Sequence, residues 1–71
     1  MTDKQALFKA IERKGFFKKH IAFALNISYQ SFLNKVNGRS EFTASEIEKI
    51  KNVLGLTDIE RNAIFFAKRL I

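Results

Sequence analysis

Cysteine, proline and tryptophan are all missing from these 71 residues. Without cysteine there is no disulfide and no thiolate metal site. The fold rests on packing alone, and a reducing compartment does it no harm. Without proline, no helical pattern is interrupted by a residue lacking an amide proton. Long apolar runs are lacking too, and none approaches the roughly 20 residues that a membrane span needs. The N-terminus has no basic-then-apolar signal pattern. The expectation is a cytoplasmic protein. The chain length allows one domain spanning residues 1–71. Its 46% apolar content supports one small core, which self-association would help.

Glycine is scarce and well placed. Gly15, Gly38 and Gly55 each follow a stretch with helical apolar spacing and read as helix stops or turns. Starting signals agree. Thr2 with Gln5, Thr43 with Glu46 and Thr57 with Glu60 all have the capping-box spacing. Between these marks the apolar period is 3.6 rather than 2, so an all-α fold is predicted. Helix one covers about 3–14, with Leu7 and Ile11 inward and Phe8 beside them. Helix two covers about 17–25, with Ile21, Ala22 and Leu25 inward. A short turn at Asn26-Ile27 leads to Ser28, a good N-cap, and to helix three over about 29–36 with Phe32 and Val36 inward. Phe42 plugs the core from the following loop. Helix four covers about 44–54 with Ile47, Ile50, Val53 and Leu54 inward, and helix five about 58–70.

Acidic residues are also scarce in one region. The formal net charge is +6. Residues 10–39 carry Arg13, Lys14, Lys18, Lys19, Lys35 and Arg39 against Glu12 alone, whereas residues 40–71 are balanced. A localised positive field attracts a polyanion and speeds its encounter, which points to nucleic acid.

The same segment carries a motif. Two short helices joined by a tight turn, the second opened by a serine cap, form a helix-turn-helix over about residues 17–36. Small Ala22 lets the helices approach, and Leu25 and Ile27 pin the turn. Lys14-Gly15, Ile21-Ala22, Leu25, Ile27-Ser28, Ser31-Phe32 and Asn37-Gly38 together resemble the Cro/repressor-type helix-turn-helix family of temperate phages and their bacterial relatives. Ile47, Ile50 and Val53-Leu54-Gly55-Leu56 resemble that family's fourth helix and its ending. The resemblance covers about residues 4–60.

It implies a compact five-helix, lambda-repressor-like bundle and a stand-alone transcriptional regulator of phage type that binds operator DNA in a bacterial host cell. Tyr29, Gln30 and Asn34 would then face the major groove, where the amides of Gln30 and Asn34 suit adenine edges. The alternative for both amides is solvated helix surface. Lys18, Ser31, Lys35 and Arg39 would meet phosphate or sugar beside Ser28 at the helix start, and Asn37 would shape the turn that follows.

The sequence departs from the family pattern at Phe17 and Lys18, where a polar residue and a glutamine are usual. Phe23 replaces a charged residue, and Leu33 a polar one. Phe17, Phe23, Tyr29 and Leu33 are expected to be partly exposed, and exposed apolar clusters mark protein contacts. They otherwise complete a thin core. This supports a second reading, an anti-repressor or modulator of repression that binds the phage repressor protein and blocks or alters its DNA binding. Helix five adds Phe65, Phe66 and Leu70 to the candidate partner surface. Phe65 and Phe66 lie about 100° apart on a helix, so one fills the core while the other faces a partner or a second copy of the chain. A wholly intramolecular helix five is the alternative.

Nothing points to catalysis. His20 is the single histidine and sits among lysines and apolar residues. Asp3 and Asp58 fall at helix starts, where they suit caps and the helix dipole. No phosphate loop, metal-ligand cluster or nucleophile–base pair is visible. The chain is expected to be no enzyme and to use no cofactor, metal, membrane surface or small-molecule substrate.

Overall fold

The computed structural model describes residues 1–67. Within them the chain forms five α-helices and no strand: α1 (Lys4–Arg13), α2 (Lys18–Ala24), α3 (Tyr29–Val36), α4 (Ala44–Leu54) and α5 (Asp58–Phe65). None of these helices is long and apolar enough to cross a membrane. The packing is α2 on α3 and α4, with α5 closing against α1 and α4.

Local chemistry sets most of the boundaries. Thr43 and Thr57 each accept the N–H of a glutamate three residues on, and that glutamate's carboxylate accepts the threonine N–H in return. Both expected capping boxes are therefore formed, and each satisfies two backbone donors that a helix start leaves free. The third expected box is absent. α1 begins one residue later, and the Asp3 carboxylate accepts from the Ala6 N–H at 3.0 Å. A charged acceptor at the positive end of the helix is a better cap than the Thr2 hydroxyl. Ser28 caps α3 by accepting the Ser31 N–H at 3.0 Å.

The core collects one stripe from each helix. Leu7, Ile11, Ile21, Phe32 and Ile50 are fully enclosed. Phe42 enters from the loop before α4 and joins two helices through its ring. Its centroid lies 6.1 Å from Phe32 and 5.4 Å from Phe65, both in edge-on contact. Such aromatic pairs add about 0.5–1.5 kcal/mol beyond the area they bury. Val53 is only half-buried against this core.

α5 differs from the expectation over 58–70. It ends at Phe65, because Phe66 leaves helical geometry (φ −121°, ψ 33°). The Ala67 N–H donates to the carbonyl of Met1 at 3.1 Å, and the Asp3 N–H donates to the Ile64 carbonyl at 2.7 Å. Backbone pairing with the N-terminal segment thus replaces another helical turn. Phe65 is 3% exposed and belongs to the core. Its assignment to a partner surface is corrected: its ring is held between Phe42 and the rest of the interior. Phe66 is 58% exposed, as expected for the neighbour pointing elsewhere. Ile59 and Ala63 also face solvent. Leu70 and the remainder of the expected helix lie outside the described residues.

Candidate nucleic-acid interface

α2 and α3 are joined through Leu25–Ser28, and the turn depends on Asn26. Its φ of 59° is the only positive value at a non-glycine residue among the described residues. The left-handed region disfavours side chains with a Cβ, but asparagine tolerates it better than other residues. The Asn26 N–H donates to the Phe23 carbonyl and the Ile27 N–H to the Ala22 carbonyl. Leu25 is buried and Ile27 packs half-buried on the core. The turn is therefore anchored on both sides of the strained residue.

α3 is buried along Phe32 and Val36; Gln30 is exposed and Asn34 half-buried on another side, and Tyr29 stands at the exposed start of the buried stripe. Gln30 and Asn34 are one turn apart, and the Gln30 amide donates to the Asn34 carbonyl oxygen at 3.2 Å. Tyr29 is 36% exposed, its ring stacked 6.4 Å from Phe32. Ser28 and Ser31 form a closed pair. Besides accepting the Ser31 N–H, the Ser28 hydroxyl donates to Ser31 Oγ at 3.0 Å. Ser28 is thereby a capping residue, and Ser31 retains the free hydroxyl proton. Asn37 accepts from the Lys4 ammonium at 2.9 Å and ends α3, so it shapes the turn as expected.

The cations divide into two groups. Arg13 pairs with Glu60 at 2.8 Å, Lys35 with Glu46 at 2.9 Å, Lys51 with Asp58 at 2.8 Å and Arg61 with Glu48 at 2.6 Å. Lys4, Lys9, Lys14, Lys18, Lys19, Arg39 and Lys49 form no salt bridge among the described residues, although the Lys14 charge helps to lower Glu60. Lys18 instead sits over the Phe8 ring, 4.0 Å from its centroid, and Lys19 lies 5.8 Å from the Tyr29 ring. These contacts orient the two lysines without neutralising them.

Lys35 does not belong with this second group, although its place on α3 suggested a phosphate contact. Its side chain is 16% exposed, and its ammonium also donates to the Glu41 carbonyl at 3.1 Å. Glu46 is held in return. Burial pushes its carboxyl up, but the Thr43 N–H and the Lys35 charge outweigh that and keep it below the usual carboxylate range. The ion pair fastens α3 to the start of α4, so the Lys35 charge serves the fold.

Sequence reasoning passed over Lys14 and Lys19 as site residues. Their signal was the run of basic residues before and within α2, but nothing in it separates a paired cation from a free one. The exposed rings fall where expected at Phe17 and Phe23, which are 81% and 82% exposed. Leu33 is different. It packs half-buried against the core and offers little to a partner. His20 stacks on Phe16 with centroids 5.2 Å apart, an arrangement that anchors the α2 start.

No family model matches the chain, and no curated protein matches it.

Proposed function

We propose that α2, the Leu25–Ser28 turn and α3 form a DNA-binding helix-turn-helix, and that the protein is a transcriptional regulator acting at an operator. The observation that carries this reading is the distribution of uncompensated charge. Of the cations without a salt bridge among the described residues, Lys14, Lys18 and Lys19 stand before and at the start of α2 and Arg39 follows α3, while Lys4, Lys9 and Lys49 lie on α1 and α4. The polar side of α3 lies on the segment that the first four bracket. Cations so placed would hold phosphates and set the helix in register, while Tyr29, Gln30 and Asn34 reach base edges. The Gln30–Asn34 amide pair fits the donor–acceptor pattern of adenine in the major groove. Ser31 has a hydroxyl proton available to a phosphate oxygen.

The experiment is a titration of the purified chain against its upstream DNA and an unrelated duplex, at several salt concentrations. Selective binding is expected, with log K falling by about 0.9 per decade of salt for each phosphate neutralised. Equal affinity for both duplexes, or binding that does not respond to salt, would overturn the reading.

A further inference from the structure

We propose that the groove between α1, the loop before α2 and the start of α3 is a docking seat for an acidic protein segment bearing an apolar anchor. Its lining is largely aromatic, from Phe8, Phe16, Tyr29 and the outermost ring, Phe17, and Lys18 and Lys19 border it. Glu12 is the one carboxylate on its wall. An exposed apolar surface of this kind marks a contact site when it is contiguous and rimmed by polar groups.

Charge complementarity selects the occupant. Both bordering lysines lack an acidic partner among the described residues. Each is already directed over a ring of the lining, Lys18 over Phe8 and Lys19 near Tyr29. An aspartate or glutamate on a bound segment would meet these ammonium groups at the edge, while a leucine or phenylalanine beside it would pack against the open Phe17 ring. A stacked nucleic-acid base fits less well. Base stacking needs open ring faces, yet Phe8 and Tyr29 are faced by lysines and Phe16 is stacked on His20. Phe17, 81% exposed, is the ring left uncovered. The seat gives Phe17 and Tyr29, which the sequence alone assigns to a protein partner, a defined occupant chemistry. It does not depend on the DNA reading, although Tyr29 belongs to both surfaces. A segment in the groove and a duplex on α3 would therefore compete.

Tyr29 is the single tyrosine of a chain without tryptophan, so tyrosine fluorescence reports on the surroundings of this one ring. The probe is a short synthetic peptide rich in aspartate and glutamate around one leucine and one phenylalanine, lacking tyrosine and tryptophan. Titration into the full chain is expected to change Tyr29 emission saturably. Phe17→Ser is expected to weaken binding by about tenfold, in line with loss of an anchoring aromatic. Lys19→Glu should weaken it further, and Phe66→Ser should leave it unchanged. Phe17, Lys19 and Phe66 are all exposed, so the variants should keep the helical circular dichroism of the parent. The proposal is overturned if serine at the two apolar peptide positions leaves the affinity intact, since charge alone would then account for binding. Saturation by a single-stranded oligonucleotide but not by the peptide would overturn it too, as would equal losses from Phe17→Ser and Phe66→Ser. The duplex titration is read separately, so failure of either proposal leaves the other open to its own test.

Discussion

The α1–α3 half and the α4–α5 half are built from the same kinds of residue, yet they treat charge in opposite ways. Arg61 and Lys51 are covered by Glu48 and Asp58, and both late helices open with a completed capping box. Lys14, Lys18 and Lys19 have no such cover, and Phe17 and Phe23 stand in solvent beside them. α2 has no side-chain cap at all, since Phe17 occupies the N-cap position. The second half pairs Lys51 and Arg61 and leaves Lys49 unbridged, whereas the first leaves more of its cations unbridged and two rings more than four-fifths exposed. Lys35 lies at the border: it sits on α3 but its charge is answered by Glu46 on α4. A basic segment is therefore not uniformly a binding surface.

The sharpest way to break the contrast is to compare phenylalanines of similar volume. Phe32→Ala is expected to cost about 3–5 kcal/mol, because the ring is fully enclosed and a cavity remains. Against the modest stability of a domain this small, that loss should largely unfold it in a denaturant titration followed by circular dichroism. Phe17→Ala should stay within about 0.5 kcal/mol of the parent in the same experiment, as exposed positions do.

A second comparison concerns binding. Gln30→Ala is expected to cost about 1–3 kcal/mol of operator affinity and to relax preference at one base position. Lys19→Ala should weaken all duplexes alike and reduce the salt slope by about one unit. Arg61→Ala, which removes a paired cation, should leave the slope unchanged. Lys35→Ala should behave like Arg61→Ala in binding but should lower stability, because Glu46 loses its partner.

Thr43→Ala sharpens the stability side, with about 1 kcal/mol expected from the lost cap, read as a lower denaturation midpoint. The smallest effect is expected from acid. The N–H of Thr43 and the Lys35 charge lower Glu46 against the opposing effect of burial. A hydrogen bond from Lys51 lowers Asp58, and the N–H of Thr57 lowers Glu60. Carboxyls depressed in the folded state contribute stability that is present above their ordinary values of 4.5, 3.8 and 4.5. That contribution is lost as the pH falls through the folded-state values. Melting temperatures should therefore decline below about pH 4.5, and Glu46→Gln should flatten the decline.

Much of the fold was legible because its causes are local. The bounds of α3 and α4 follow from Ser28, Thr43 and Gly55, each of which acts within a few residues. Ser28 and Thr43 supply caps, and Gly55 adopts the left-handed conformation that ends α4 at φ 66°. The exposure of Phe17 and Phe23 was expected from the family resemblance, which puts polar or charged residues at those places. The end of α5 was not legible, because the Ile64 carbonyl accepts from Asp3 and the Ala67 N–H just past the helix donates to Met1, both at the other end of the chain. Nor was the role of Lys35 within the candidate site, since Glu46 lies eleven residues away and reaches it only when α4 docks.

The sequence by itself determined the helical period, most of the caps and turns, the buried stripes of α1 to α3 and the concentration of positive charge before residue 40. These depend on contacts within one or two turns, whose geometry any helix shares. Tertiary structure decided which cations are neutralised, which of Phe65 and Phe66 enters the core, and that Phe8, Phe16, Phe17 and Tyr29 line one groove. Those outcomes depend on how separate helices meet, and Coulomb attraction and packing act over distances in space that spacing along a chain does not encode.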